Sequence, residues 1–219
     1  MSFAAVIFDL DRTLVDRTQD IDAVYEAAFE RVGLEPFAEP PALWQTLDGT
    51  PDPDDQIGYL GAGFARLAAQ HSQDVDPLAL AAAFVDGMDN RQVTLRPGAE
   101  RALTDARAAG AVGILTNGPE HRQAPKVDAA GLDDRVDTVV YAGDMPRRKP
   151  HVAPFEATLG ALDVAADRAL YVGDSLAYDV AGAHNAGLAA AWLDDGEGPA
   201  PYRPEYVLDS LADLGEILS

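Results

Sequence analysis

The stretch Val6-Ile7-Phe8-Asp9-Leu10-Asp11-Arg12-Thr13-Leu14 decides the fold. An apolar run of strand-forming residues ends in two carboxylates two positions apart, and a hydroxyl follows. Side chains alternate along an extended chain, so Asp9 and Asp11 share a face while the backbone stays extended through them. Two anions then converge at the carboxyl end of a buried strand, where open α/β sheets bind ligands. Bare carboxylates about 4 Å apart repel by roughly 4 kcal/mol at an effective dielectric near 20, so the pair needs a cation or a shared proton. Mg2+ answers that need, being a hard ion bound by one or two carboxylates with waters and phosphate oxygens.

Strands and helices alternate from Pro97 onward. A helix opened by Pro97 and closed by Gly110 leads into the strand Ala111-Val112-Gly113-Ile114-Leu115, and the next helix is stopped by Gly131. Thr138–Tyr141, Ala169–Val172 and Ala189–Leu193 read as further strands, with helices over 151–162 and 178–186 between them and Val207-Leu208 as an added edge. Such alternation predicts a parallel sheet with right-handed crossovers and helices on both faces. From Asp20 to Gly87 the signal is helical instead. Val24, Tyr25, Ala28, Phe29 and Val32 form one stripe, Leu60, Phe64, Leu67 and His71 a second, Leu78, Ala81, Ala82 and Val85 a third. A Pro- and Asp-rich loop over 35–56, containing Trp44, separates the first two. The expected architecture is α/β: a Rossmann-like parallel-sheet core over 1–14 and 96–219, with a helical cap inserted over 15–95.

Composition narrows the class. With 219 residues, 47% of them hydrophobic, the chain can bury a sizeable core, and its longest apolar stretches fall far short of a membrane span, which predicts a soluble, cytoplasmic protein. Cysteine is absent, so any metal site must use oxygen or imidazole ligands. His71, His121, His151 and His184 show no paired metal spacing. The net charge of -21 argues against a nucleic-acid partner, because binding a phosphate backbone needs a basic stripe. The acidic residues are scattered, not blocked, which fits either a cell interior of high salt, where self-repulsion is screened, or an ordinary acidic cytosolic enzyme. Only two lysines, Lys126 and Lys149, stand against 14 arginines.

Three more polar clusters follow predicted strands. Thr116-Asn117-Gly118 offers a hydroxyl, an amide and a backbone that can approach an anion closely, ahead of a helix N-terminus. Arg147-Arg148-Lys149-Pro150 follows the strand at Tyr141. Gly173-Asp174-Ser175 follows Val172, with Asp179 five residues beyond Asp174. A doubly wound sheet gathers all of these beside Asp9 and Asp11.

Taken together, FDLDRTL, LTNG, the lysine of RRKP and VGDSLAYDVAGAHNAG resemble, in order and separation, the four motifs of the haloacid dehalogenase-like hydrolase superfamily. The resemblance covers about 2–14 and 97–193. It implies that Asp9 is a nucleophile forming an aspartyl-phosphate, and that Asp11 protonates the leaving group and then deprotonates the hydrolytic water. It also implies that Mg2+ is held by Asp9, the Asp11 main-chain carbonyl and Asp174, with Asp179 behind them orienting metal waters or Lys149. Thr116 and Asn117 would bind phosphate oxygens, and Lys149 would balance charge on both phosphate and Asp9. Arg12 stands where the family often has Gly, Tyr178 where a small polar residue is common, and Pro146 where Gly is common.

The branch follows from the same comparison. Haloacid dehalogenases proper lack the second acidic residue of the first motif, so Asp11 argues against them. Phosphonatases use a cap lysine, and 15–95 contains none. Trp44, Tyr59, Arg66 and Arg91 could face substrate from the cap, although aromatics and Arg at helical spacing more often serve packing and solvated charge. The run TNGPEHRQAPKVDAAGL looks closest to phosphoglycolate phosphatase-like, pyrimidine nucleotidase and N-acylneuraminate phosphatase sequences. The expected function is a Mg2+-dependent phosphatase of a small phosphorylated metabolite. A sugar phosphomutase or 2-haloacid dehalogenase is the alternative within the superfamily, and a catalytically silent phosphometabolite-binding relative the alternative outside enzymes.

Overall fold

In the computed structural model, residues 3–48, 55–194, 196, 198–199 and 201–219 are described. The chain divides into two units, Met1–Thr18 with Asn90–Ser219, and Gln19–Asp89.

The first unit is built on a six-stranded parallel sheet of β1 (Ala5–Phe8), β4 (Ala111–Thr116), β5 (Thr138–Tyr141), β6 (Ala169–Gly173), β7 (Ala189–Leu193) and β8 (Tyr206–Leu208). Their order across the sheet is β5-β4-β1-β6-β7-β8. β1 pairs in parallel register with β4 (Phe8 opposite Ile114) and with β6 (Phe8 opposite Val172). Strand order reverses about β1: the chain runs outward through β4 and β5 on one side, then through β6, β7 and β8 on the other. This makes the carboxyl end of β1 the switch point of the sheet.

Alternation along β1 builds both layers at once. Val6 and Phe8 pack on one face with Leu103 and Ala106 of α5 (Ala99–Ala109), Val127 of α6 (Glu120–Ala129) and Leu214 of α9 (Leu214–Leu218). Ala5 and Ile7 pack on the other with Phe155 and Leu159 of α7 (Val152–Leu162) and Ala183 of α8 (Ala181–Asn185). Val6, Ile7 and Phe8 are fully buried, each side chain contributing roughly 1.5–3 kcal/mol of hydrophobic stabilisation.

The second unit holds α1 (Ile21–Arg31), α2 (Pro40–Thr46), α3 (Gln56–Gln70) and α4 (Pro77–Asp86) around Tyr25, Phe29, Leu43, Phe64, Leu67 and Phe84. Asp20 and Asp76 cap α1 and α4 by accepting hydrogen bonds from first-turn N–H groups.

Three details depart from the expected layout. α2 lies inside the stretch read as a loop; its Pro40-Pro41 start and short run hid any helical period, and Trp44 projects from it, half-exposed, with its ring edge-on to Phe84. The remainder of that loop at 49–54 lies outside the described residues. An antiparallel ribbon pairs β2 (Val15–Arg17) with β3 (Val93–Leu95), so the first unit extends to Thr18 and resumes at Asn90. Three-residue strands are too short to show alternation. Finally, the expected helix over 178–186 divides into a π-helical turn, Leu176–Val180, followed by α8.

Candidate active site

The Asp9 N–H donates to the Val172 carbonyl at 2.9 Å, keeping the chain extended one residue past β1. The backbone then turns sharply. Leu14 and Val15 N–H both donate to the Leu10 carbonyl at 2.9 and 3.0 Å, and Arg12 occupies the left-handed region at φ 62°. A non-glycine residue there costs on the order of 1 kcal/mol. Arg12 is held by its own N–H to Val15 carbonyl, 2.8 Å, and by the Arg96 guanidinium donating to its carbonyl.

Lys149 sits at the centre of the site, its side chain 2% exposed. Its Nζ lies 2.7 Å from Asp9 Oδ1, 2.7 Å from Asp179 Oδ1, 2.8 Å from the Tyr171 hydroxyl and 3.2 Å from the Leu115 carbonyl. Burial would lower the Lys149 pKa, but Asp179 and Asp9 outweigh it and push it up to about 12. Burial lifts Asp9 the other way, opposed by Lys149 and assisted by Asp179 and Asp11, to about 7. One ammonium therefore does not neutralise this group of carboxylates.

Asp174 and Asp179 come from the end of β6 and the turn after it. Asp179 Oδ2 accepts from Ser175 N–H at 2.9 Å, and the N–H groups of Asp179 and Val180 both donate to the Ser175 carbonyl. A Cβ on Gly173 would lie 2.4 Å from Asp179 Cγ, so only glycine lets β6 end this close to that carboxylate. Asp174 accepts from the Thr13 hydroxyl at 3.4 Å and lies 3.5 Å from Arg12 Nε. Its pKa is raised by burial and by Asp179, against Arg12. Asp9, Asp174 and Asp179 each offer an oxygen, all within 4.8 Å of one another, a hard all-oxygen set that fits a divalent cation such as Mg2+. Both oxygens of Asp179 accept short hydrogen bonds, at 2.7 and 2.9 Å, whereas the Asp174 side-chain contacts above are longer, at 3.4 and 3.5 Å, so Asp9 and Asp174 are the carboxylates of this set better disposed to reach an ion.

Thr116 ends β4. Its Oγ accepts from Gln123 Nε2 at 2.7 Å and from Gly118 N–H at 3.3 Å, which leaves its own O–H to donate outward. Asn117 clips the main chain of Lys149: its Oδ1 accepts from Lys149 N–H at 2.8 Å and its Nδ2 donates to the Lys149 carbonyl at 3.1 Å. The Asn117 side-chain amide thus holds the lysine loop in place. Asp11 is gripped on both oxygens by Lys126 Nζ, 2.6 and 2.8 Å, and on one by Gln123 Nε2 at 2.7 Å. Burial would raise the Asp11 pKa, but Lys126 and Gln123 hold it below the usual carboxylate value.

The sequence model of the haloacid dehalogenase-like hydrolases matches residues 3–187. The chain belongs to the haloacid dehalogenase-like hydrolase family. Among curated relatives, a phosphoglycolate phosphatase of Cereibacter sphaeroides is 33% identical, over 95% of this chain and 96% of its own. Phosphoserine phosphatase of Thermus thermophilus is 32% identical, over 90% of this chain and 82% of its own. The crystal structure of the putative HAD-hydrolase YfnB from Bacillus subtilis, bound to magnesium, superposes with a TM-score of 0.74 at 22% identity, covering 100% of this chain and 99% of that one.

This hydrolase also recruits residues that sequence reading passed over. Tyr171 was an apolar strand residue by pattern, yet its hydroxyl lies 3.1 Å from the Leu115 carbonyl and 3.2 Å from Asp179 Oδ1. Trp192 donates its indole N–H to the Asp174 carbonyl at 2.9 Å. Strand periodicity marks such residues as buried and says nothing of their polar tips. Gln123 and Lys126 share one face of α6 by their spacing of three, and the scarcity of lysine was the one available signal for the second. Among the described residues, no helix is long and apolar enough to cross a membrane.

Proposed function

We propose that this chain is a Mg2+-dependent phosphatase acting on a small-molecule phosphate monoester through an aspartyl-phosphate at Asp9, with the helical insertion as its cap. The observation that carries the reading is Lys149 Nζ bridging Asp9 and Asp179 at 2.7 Å each, beside Asp174. A phosphate dianion resists an anionic nucleophile unless positive charge offsets both. Asp9 Oδ attacks phosphorus and the ester P–O bond breaks, the leaving alkoxide taking a proton from the protonated fraction of Asp11, a form that the Lys126 and Gln123 bonds disfavour. Water then attacks phosphorus, Asp11 accepts its proton, and the bond to Asp9 breaks to give inorganic phosphate. Lys149 steadies the charge on Asp9, and the Thr116 O–H donates to a phosphate oxygen. Asp9 and Asp174, with the Asp11 carbonyl, would hold Mg2+, which supplies further charge neutralisation. The phosphatase names of the relatives support this reaction class.

The test is Asp9→Asn assayed on a panel of phosphorylated metabolites with and without Mg2+, coupled to mass spectrometry of the acid-quenched parent enzyme. Turnover in the variant is expected to vanish, and the parent is expected to carry a phosphoryl group on Asp9. Turnover in Asp9→Asn near the parent's rate would overturn the covalent mechanism.

A further inference from the structure

A chain with two lysines buries both beside the paired aspartates of its first motif, Lys149 at 4% exposure against Asp9 and Lys126 at 5% against Asp11. The first has a place in the reaction proposed above, and the second has none so far. Burying an ammonium is unfavourable unless a carboxylate meets it in good geometry, and both oxygens of Asp11 do so. Gln123, one turn earlier on α6, donates through a single Nε2 to Asp11 Oδ2 and to Thr116 Oγ, both at 2.7 Å. The opposite amide orientation would set its Oε1 against a carboxylate oxygen, so the NH2 end is the one that faces Asp11. Asp11 itself remains about half-exposed, with a side-chain exposure of 47%, and so keeps an open side for a proton partner. A half-exposed carboxylate on a turn has rotational freedom; three charge-assisted bonds from one rigid helix face remove it.

We propose that Gln123 and Lys126 form a positioning pair that fixes the Asp11 carboxylate for taking the proton of the hydrolytic water, and ties that orientation to the phosphate-facing hydroxyl of Thr116. The inference rests on the phosphatase reading and adds two residues to its machinery. Neither needs to touch the substrate. Lys126 acts through Asp11, and Gln123 through both Asp11 and Thr116. Loss of the pair therefore falls on hydrolysis of the aspartyl-phosphate more than on its formation from a good leaving group.

The experiment uses the full chain with Mg2+ and 4-nitrophenyl phosphate, whose leaving group needs little protonation. Rapid-quench kinetics separate the first burst of nitrophenolate from steady-state turnover. In Lys126→Met the burst rate is expected to stay within about threefold of the parent, while steady-state kcat falls by at least about tenfold with little change in KM. Lys126→Arg, whose fork also grips a carboxylate on two oxygens, is expected to recover most of that loss. Gln123→Leu is expected to slow the same step. In an Asp11→Asn background, Lys126→Met is expected to cost less than about twofold further, the mark of a residue that acts through another.

Parent-like turnover in Lys126→Met overturns the proposal, as does a raised KM at constant kcat, which would make Lys126 a substrate contact. A full additional loss in the Asp11→Asn background overturns it too. If the parent itself shows no Asp9-dependent release of nitrophenolate, the phosphatase reading fails first and takes this proposal with it.

Discussion

Replacing Asp9 by Asn in the metal-free protein raises stability at pH 8 and gives far less of that gain at pH 5. Burial and the neighbouring carboxylates lift the Asp9 pKa from 3.8 to about 7 despite Lys149. At 1.36 kcal/mol per pK unit, ionising Asp9 in the folded protein costs on the order of 4 kcal/mol. Between pH 4 and 7 the folded chain holds this proton more tightly than the unfolded chain, so stability falls as pH rises through that window. It is fully present below about pH 4 and lost above about pH 7. Asn does not titrate and still offers Lys149 an oxygen, while Lys149 keeps Asp179 and the Tyr171 hydroxyl. Some of the Lys149 attraction is forfeited, so the expected net gain at pH 8 is roughly 1–3 kcal/mol, or roughly 2–10 °C in Tm for a chain of this size. Thermal unfolding of parent and variant in chelator at fixed KCl, at pH 5 and pH 8, measures it. A variant no more stable than the parent at pH 8, or a gap that persists undiminished at pH 5, refutes the claim that Asp9 is held under charge stress.

Lys149→Arg keeps the charge but replaces a compact ammonium, held by Asp9, Asp179 and Tyr171, with a planar fork; steady-state assays should show at least about a tenfold loss in turnover, or about 1.4 kcal/mol of barrier. Gly173→Ala drives a methyl into the Asp179 carboxylate, and denaturant unfolding should report a loss of roughly 1–3 kcal/mol; a neutral variant would show that Asp179 is free to move. The charge of -21 should make Tm climb steadily as KCl rises from millimolar to molar, in Asp9→Asn as in the parent, because the repulsion is spread over the whole surface; a flat curve removes the high-salt reading.

The amino-acid sequence by itself determined the sheet. Ala5–Phe8, Ala111–Thr116, Thr138–Tyr141, Ala169–Gly173 and Ala189–Leu193 all stand within a residue or so of where apolar runs and glycine stops put them, because strands buried on both faces are continuous hydrophobic segments. The same pattern located the helical insertion and brought Asp9, Asp11, Thr116, Lys149, Asp174 and Asp179 to strand ends of one sheet. What it could not carry were short or polar arrangements. The Val15–Arg17 and Val93–Leu95 ribbon pairs segments separated by the whole insertion, and α2 begins in two prolines.

Tertiary structure alone decided who holds whom. Asn117 serves the Lys149 backbone, Tyr171 and Trp192 turn their polar tips to the site from strand positions, and Lys126 finds Asp11 from 115 positions away in sequence. Periodicity reports which side of an element a residue faces; the partner of a buried charge depends on how two elements distant in sequence are brought together. Hydrogen bonds fall off within a fraction of an ångström, so they are fixed only once the sheet has set those distances.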